Sequence, residues 1–295
     1  MKKLIFFFAI LLGGAVAYGQ ALKPYILGAT YNGSMSEAKA KAKDKLTAAG
    51  FKVVGEYSPV NDPARWVFAV SHPELDKAVQ AVGDLTGFAA VLRVALTKEG
   101  NVINASYTNP YYWGNAYFRD DFDEVKANYD KLAAAFEKGV GSMNKGFGSE
   151  EGIEPDDLHD YHYMFGMPYF DDTKELGEFA SHEAAVAHID AALKAGKPGV
   201  KLVYKYKVPG TKLTLYGLAL SGEKGEENFM PKIDIASPKH TAFLPYEMLV
   251  KGNEVHMLHG RFRIALSFPD LTMGTFTKIM STPGDIQDLL KQLVE

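Results

Sequence analysis

No cysteine occurs among the 295 residues. Disulfides, thiolate nucleophiles, cysteine-ligated metal and a CxxCH haem attachment are therefore excluded. Long basic blocks are missing too, so neither nucleic acid nor an anionic membrane surface is the expected partner. Beyond the N-terminus no stretch is long and apolar enough for a bilayer span, which takes about 20 residues. Local catalytic signatures such as GxSxG and HExxH do not occur. A triad can still assemble from distant residues, so this leans away from an enzyme without excluding one.

What is present is a globular composition, 47% hydrophobic and 12% aromatic, enough to fill a sizeable core. The clearest local pattern is N-terminal. Lys2-Lys3 precede an apolar run from Leu4 to Leu12, then small residues at Gly13, Gly14, Ala15 and Ala17. This is the layout of a secretory signal peptide over residues 1–19, with cleavage after Ala17 or Gly19. The expectation is an exported, periplasmic or extracellular protein with no membrane span after cleavage. Loss of the two lysines takes the formal net charge from −4 to −6.

Along the chain, Pro24–Tyr31 reads as a strand, and Ser34-x-x-Glu37 as a capping box opening a helix that ends at Gly50. Phe51–Tyr57 and Arg65–Val70 are β-rich. Ser71-His72-Pro73-Glu74 starts a short helix. The stretch Phe88–Phe118 predicts a hairpin, turning at Gly100-Asn101, that runs into a loop crowded with rings. A helix from Asp120 follows, with Phe122, Val125, Tyr129, Leu132 and Phe136 on one stripe. Residues 139–157 are glycine-rich and acidic. With no preceding strand and no GK[ST] they read as a linker and not as a phosphate cradle.

Beyond the linker the outline recurs. Leu176-Gly177 answers Leu27-Gly28, and Lys52, Val54 and Tyr57 match Lys201, Val203 and Tyr206 at one offset. Ala90, Leu92, Gly100 and Asn101 match Ala242, Leu244, Gly252 and Asn253 at a slightly larger one. In Val200–Val208 strict alternation places Leu202, Tyr204 and Tyr206 on one face. Gly222–Pro238 is poor helix material, so the second half is expected to lack the short middle helix. The fold class read from this is α+β: two related β-α-β-β-(α)-β-β units with antiparallel sheets, each closed by a C-terminal helix. The units span 22–138 and 158–295, the second diverged, and this internal pseudo-dimer makes a monomer plausible.

The helix closed by Gly50-Phe51, the run AVSHPEL at Ala69–Leu75 and the strand AFLPYEMLV at Ala242–Val250 resemble the bacterial domain-of-unknown-function family 302, and the resemblance implies a tandem duplication of it. The resemblance covers roughly residues 24–110 and, more loosely, 174–260. His72 stands where the family often has asparagine, and Arg93 where it has proline. It implies a small α+β domain that tends to pair, and brings no catalytic residue.

Candidate site residues are of three kinds. Tyr107, Tyr111, Tyr112, Trp113 and Tyr117 form a ring cluster suited either to a half-buried ligand or to a packed seam between the units. Arg261 and Arg263, two apart in an expected strand, would share a face and could grip an anion, with His256 nearby. His159, His162 and Met164 offer a weaker metal alternative; no cofactor is expected. The favoured reading is a non-enzymatic binding or interaction module, taking a small molecule or protein at an aromatic seam. The alternatives are an enzyme on a small anionic substrate using histidine and arginine, and metal or haem binding.

Overall fold

The computed structural model describes residues 20–295. The expected leader lies outside them. The first unit runs β1 (Tyr25–Tyr31), α1 (Met35–Ala48), β2 (Lys52–Tyr57), β3 (Arg65–Ser71), α2 (Pro73–Val82), β4 (Leu92–Glu99), β5 (Val102–Thr108), α3 (Pro110–Phe118) and α4 (Phe122–Gly139). Then come β6 (Lys145–Phe147) and α5 (Pro155–His159). The second unit runs β7 (Lys174–Glu178), α6 (His182–Ala195), β8 (Val200–Lys207), β9 (Leu213–Leu220), α7 (Glu226–Ile233), β10 (Tyr246–Lys251), β11 (Glu254–Met257), α8 (Gly260–Ser267), α9 (Met273–Lys278) and α10 (Thr282–Lys291).

Both sheets are antiparallel and share one strand order. The first is β2-β3-β4-β5-β1 with β6 added at the β1 edge; the second is β8-β9-β10-β11-β7. The two units are thus alike in topology as well as in element order. Even a local irregularity repeats: the ladder slips beside Leu27-Gly28 in β1 and beside Leu176-Gly177 in β7.

Local signals account for the helices that were expected. Ser34 Oγ accepts the Glu37 N–H while Glu37 accepts the Ser34 N–H at 2.9 Å, and α1 buries Ala38, Ala42 and Leu46. His72 caps α2 by accepting the Glu74 N–H, ahead of Pro73. The α4 stripe is buried as its spacing predicts.

Four expectations need correction. The ring-rich segment is helix α3, started by the Asn109 cap and Pro110. The second unit keeps its middle helix, α7, because burial of Phe229, Met230 and Ile233 outweighs the poor propensity and Pro231. Within 139–157, β6 pairs with the open edge of β1 and Leu22 bridges Ile153, so this stretch is built into the first sheet. In β8 a bulge between Leu202 and Tyr204 turns Leu202 outward, leaving Tyr204 and Tyr206 to share the buried face.

The units mate reciprocally. The 3₁₀ turn Asp84–Ala89 of the first lies on β9 and β10; its counterpart, Thr241–Phe243, lies on β3, β4 and β5. Gly87 permits the first contact, since a Cβ there would stand 2.8 Å from Leu249. Edge strands β2 and β8 touch where Gly55 lets the backbone of Val203 and the base of Tyr204 approach. The Tyr204 ring fills space left by Gly217. A methyl group at 217 would collide with that ring, so Gly217→Ala should cost about 1–3 kcal/mol of stability. In a Tyr204→Ala background the same change should cost close to nothing. A double-mutant cycle by chemical denaturation measures the coupling, and simple additivity would refute this packing.

Candidate functional site

The sequence-predicted rings are packed. Tyr107 stacks on Phe136 at 4.8 Å between ring centres, and Tyr117 on Phe170 at 5.1 Å. Tyr112 donates its hydroxyl to the Leu266 carbonyl at 2.8 Å, and Trp113 donates Nε1–H to the Pro24 carbonyl at 2.9 Å. Only Tyr111 is part-exposed, and it donates to Asp130 within its own unit. Tyr112 and Tyr117 belong to the seam between units, Tyr107 and Tyr111 pack within the first unit, and none offers an open aromatic surface.

Arg261 and Arg263 do not share a strand face, because both lie on α8. At about 100° per residue, a step of two turns side chains away from each other. Arg261 points to solvent while Arg263 is 1% exposed. The segment is helical because His259 accepts the Arg261 N–H at 3.1 Å and ends β11 as an N-cap, as Asn109 does before α3. His256, in β11, contacts Thr173 at 3.1 Å and Glu254 at 2.9 Å. His159 contacts Asn115 and His162 the Asp160 carbonyl; among the described residues no three His, Asp or Glu side chains are grouped to hold a metal ion.

Arg263 belongs instead to a polar centre buried in the seam. Arg93 of β4 and Glu247 of β10 form an ion pair, each about 1% exposed, and the Tyr204 hydroxyl donates to Glu247. Arg263 Nη2 lies 3.5 Å from the same carboxylate and donates to the Phe243 and Pro245 carbonyls, both at 2.9 Å. Its guanidinium rests on the Tyr246 and Phe243 rings. In the sequence Arg93 stands out only as a departure from the family pattern, and Glu247 not at all. A lone charge inside each of two apolar strands, VLRVAL and PYEMLV, was the available signal.

A second pair of contacts repeats across the seam. Tyr57, at the end of β2, donates to Glu226 at the start of α7; Tyr206, its counterpart in β8, donates to Asp76 of α2. Glu226 also accepts the N–H groups of Val60 and Leu220. It thereby holds Val60 at a φ of 60°, a left-handed conformation strained for a β-branched residue. Burial pushes the Glu226 carboxyl up to about 7, against the opposing pull of these three donors. Burial likewise raises Asp76.

Open space lies elsewhere. A cleft of about 500 Å³ is bounded by residues 145–150, 233–240 and 268–275, with Phe147, Phe268, Ile233 and Leu271 as apolar lining. His240 is at its floor, 6% exposed, stacked on Phe268 at 4.7 Å and tilted against Tyr25 at 5.0 Å. Burial lowers its imidazole below the ordinary value, so it is neutral at pH 7. Nδ1 has no hydrogen-bond partner among the described residues. The walls are tied in place: Asp234 pairs with Arg65 of the first unit, and Asp270 accepts from Ser149 and from the Glu150 N–H. A shallower hollow brings His259 and Arg261 together with Lys174. Burial and those two cations push His259 down to about 4.

No family model matches the chain, and no curated protein does. Among solved structures it is similar to an uncharacterized conserved protein DUF302 from Bacillus stearothermophilus, at 16% identity. The match covers 38% of this chain and 98% of that one, with a TM-score of 0.32.

Glu226 makes stability pH-dependent. Its folded-state value, about 7, lies above the 4.5 of an unperturbed glutamate. The stability that this group contributes is whole below about 4.5 and lost as pH rises through about 7, on the order of 3 kcal/mol. Denaturant unfolding at pH 5 to 8 should show this decline in the native chain and a flatter profile in Glu226→Gln. Parallel profiles would disprove the assignment.

Proposed function

We propose that the chain is an exported, non-enzymatic binding module built by duplication of one α+β unit. Its ligand is a small, mainly apolar molecule carrying one hydrogen-bonding group, held in the cleft between the β6 arm and the 233–240 and 268–275 segments. The observation that carries this reading is the floor of the cleft. A neutral imidazole, packed among Tyr25, Phe147 and Phe268, forms the base of a volume of about 500 Å³ and keeps a small part of its ring exposed to it. Apolar walls with one or two fixed polar groups are the usual composition of small-molecule pockets. Export rests on the basic, apolar and small-residue pattern of residues 1–19. Duplication is supported by the shared strand order and by the matched tyrosines at 57 and 206.

The alternative of histidine–arginine catalysis has less support. His259 and Arg261 share a hollow, but His259 Nδ1 already accepts the Arg261 N–H and is not free to take a proton.

N-phenyl-1-naphthylamine, an apolar fluorophore with a single N–H, suits the cleft. Titration into the purified chain should give a saturable, single-site enhancement of its emission. Ile235 is 71% exposed at the rim, so Ile235→Asp should leave folding intact and weaken binding about tenfold by setting a charge against the ligand. His240→Phe should keep the apolar floor and lose selectivity for probes that donate a hydrogen bond. Unsaturable emission, or affinity indifferent to Ile235→Asp, would place the ligand elsewhere or remove it.

A further inference from the structure

The buried polar centre has more positive charge and more hydrogen-bond donors than the protein around it can answer. Arg93 and Arg263 are each 1% exposed, and Glu247 is the one carboxylate paired with them. The other buried acids of the seam are already engaged: Asp234 with Arg65, and Glu226 with Tyr57, Val60 and Leu220. Among the described residues, Arg93 Nε and the hydroxyl protons of Tyr117 and Tyr246 have no acceptor, and the Arg263 Nε and Nη1 groups have only those two hydroxyl oxygens within reach. The two hydroxyls stand beside the Arg263 guanidinium. Even where that guanidinium leans on their oxygens, the hydroxyl protons still need an acceptor. Burial pushes Tyr117 up to about 12 and Tyr246 higher, so neither ring supplies a phenolate to balance the charge.

An uncompensated charge and several orphaned donors in an apolar interior are each costly. Water could take up some donors but would leave the charge. We propose that the seam encloses a monovalent inorganic anion of halide size, held by the side chains of Arg93, Arg263, Tyr117 and Tyr246. One negative charge neutralises the centre; a divalent anion would reverse the imbalance. The enclosure favours a single small ion over an organic carboxylate, because all four side chains are 1–2% exposed or less. The anion is a structural ligand of the mated units, separate from the open cleft.

An enclosed ion can exchange slowly, so the purified chain is unfolded in denaturant and refolded in sodium chloride, bromide or gluconate at fixed ionic strength. Gluconate is too large to enter. Tm should rise with the logarithm of chloride or bromide concentration and stay flat in gluconate, as mass action requires for a ligand of the folded state. Crystals grown from bromide should show anomalous scattering between Arg93 and Arg263. Tyr117→Phe removes one donor without a charge and should raise the chloride concentration needed for half of the Tm gain about tenfold. Arg263→Met removes the excess charge and should abolish the anion dependence if the variant folds; Tyr117→Phe decides if it does not. Equal Tm in chloride and gluconate, or ordered water alone at the centre of the bromide crystals, would overturn the proposal.

Discussion

Arg93 and Glu247 meet where two sheets face each other, each on a strand that is otherwise apolar. An ion pair taken fully out of water gains little net stability, because desolvation offsets most of the attraction. Its effect is on specificity. Leaving either charge alone costs about 3–5 kcal/mol, so the sheets can close only in the register that joins them. The surrounding structure serves that contact. Carbonyls of Phe243 and Pro245 fix Arg263, and Tyr204 donates to the second oxygen of Glu247. The rings of α3 keep the region dry.

The seam combines a symmetric frame with an asymmetric centre. Two 3₁₀ turns, two edge strands and two tyrosine–carboxylate contacts repeat across it, and these suffice to mate like units. The centre does not repeat. Arg93 occupies the place of Pro245, Trp113 that of Arg263, and Gly55 that of Tyr204. Two copies of the first unit would set arginine against arginine; two copies of the second would have no partner for Glu247 but Arg263. Having both halves on one chain allows each to supply what the other lacks, and the charged centre then selects this pairing over like-with-like association.

Legibility in the sequence followed locality. Helices α1 and α4 are legible because the capping box of the one and the 3.6-residue stripe of the other are written into neighbouring residues. Helix α3 did not, because PYYWGNAYF is buried almost all round and so has no polar face to set a period. Helix α7 and strand β6 depend on distant partners, the second unit's core and the free edge of β1. The ring cluster was found but not its state, since composition cannot separate a packed seam from an open one. Reading α8 as a strand misplaced both arginines, and only the fold shows that one faces solvent and the other the core.

The open cleft shows the same limit, because three segments far apart in sequence build it. Its parts differ in how firmly they are held. His240, Phe147 and Phe268 are buried; His240 packs against both phenylalanines and against Tyr25, whose hydroxyl donates to the Ser267 carbonyl. Ile235 at the rim is largely exposed. A ligand entering such a site meets a floor already ordered by folding, so little conformational entropy is lost there on binding. Ordering of the rim is left to the ligand. Affinity should therefore respond smoothly to changes at Ile235, whereas changes to the floor also disturb the packing that joins the two units.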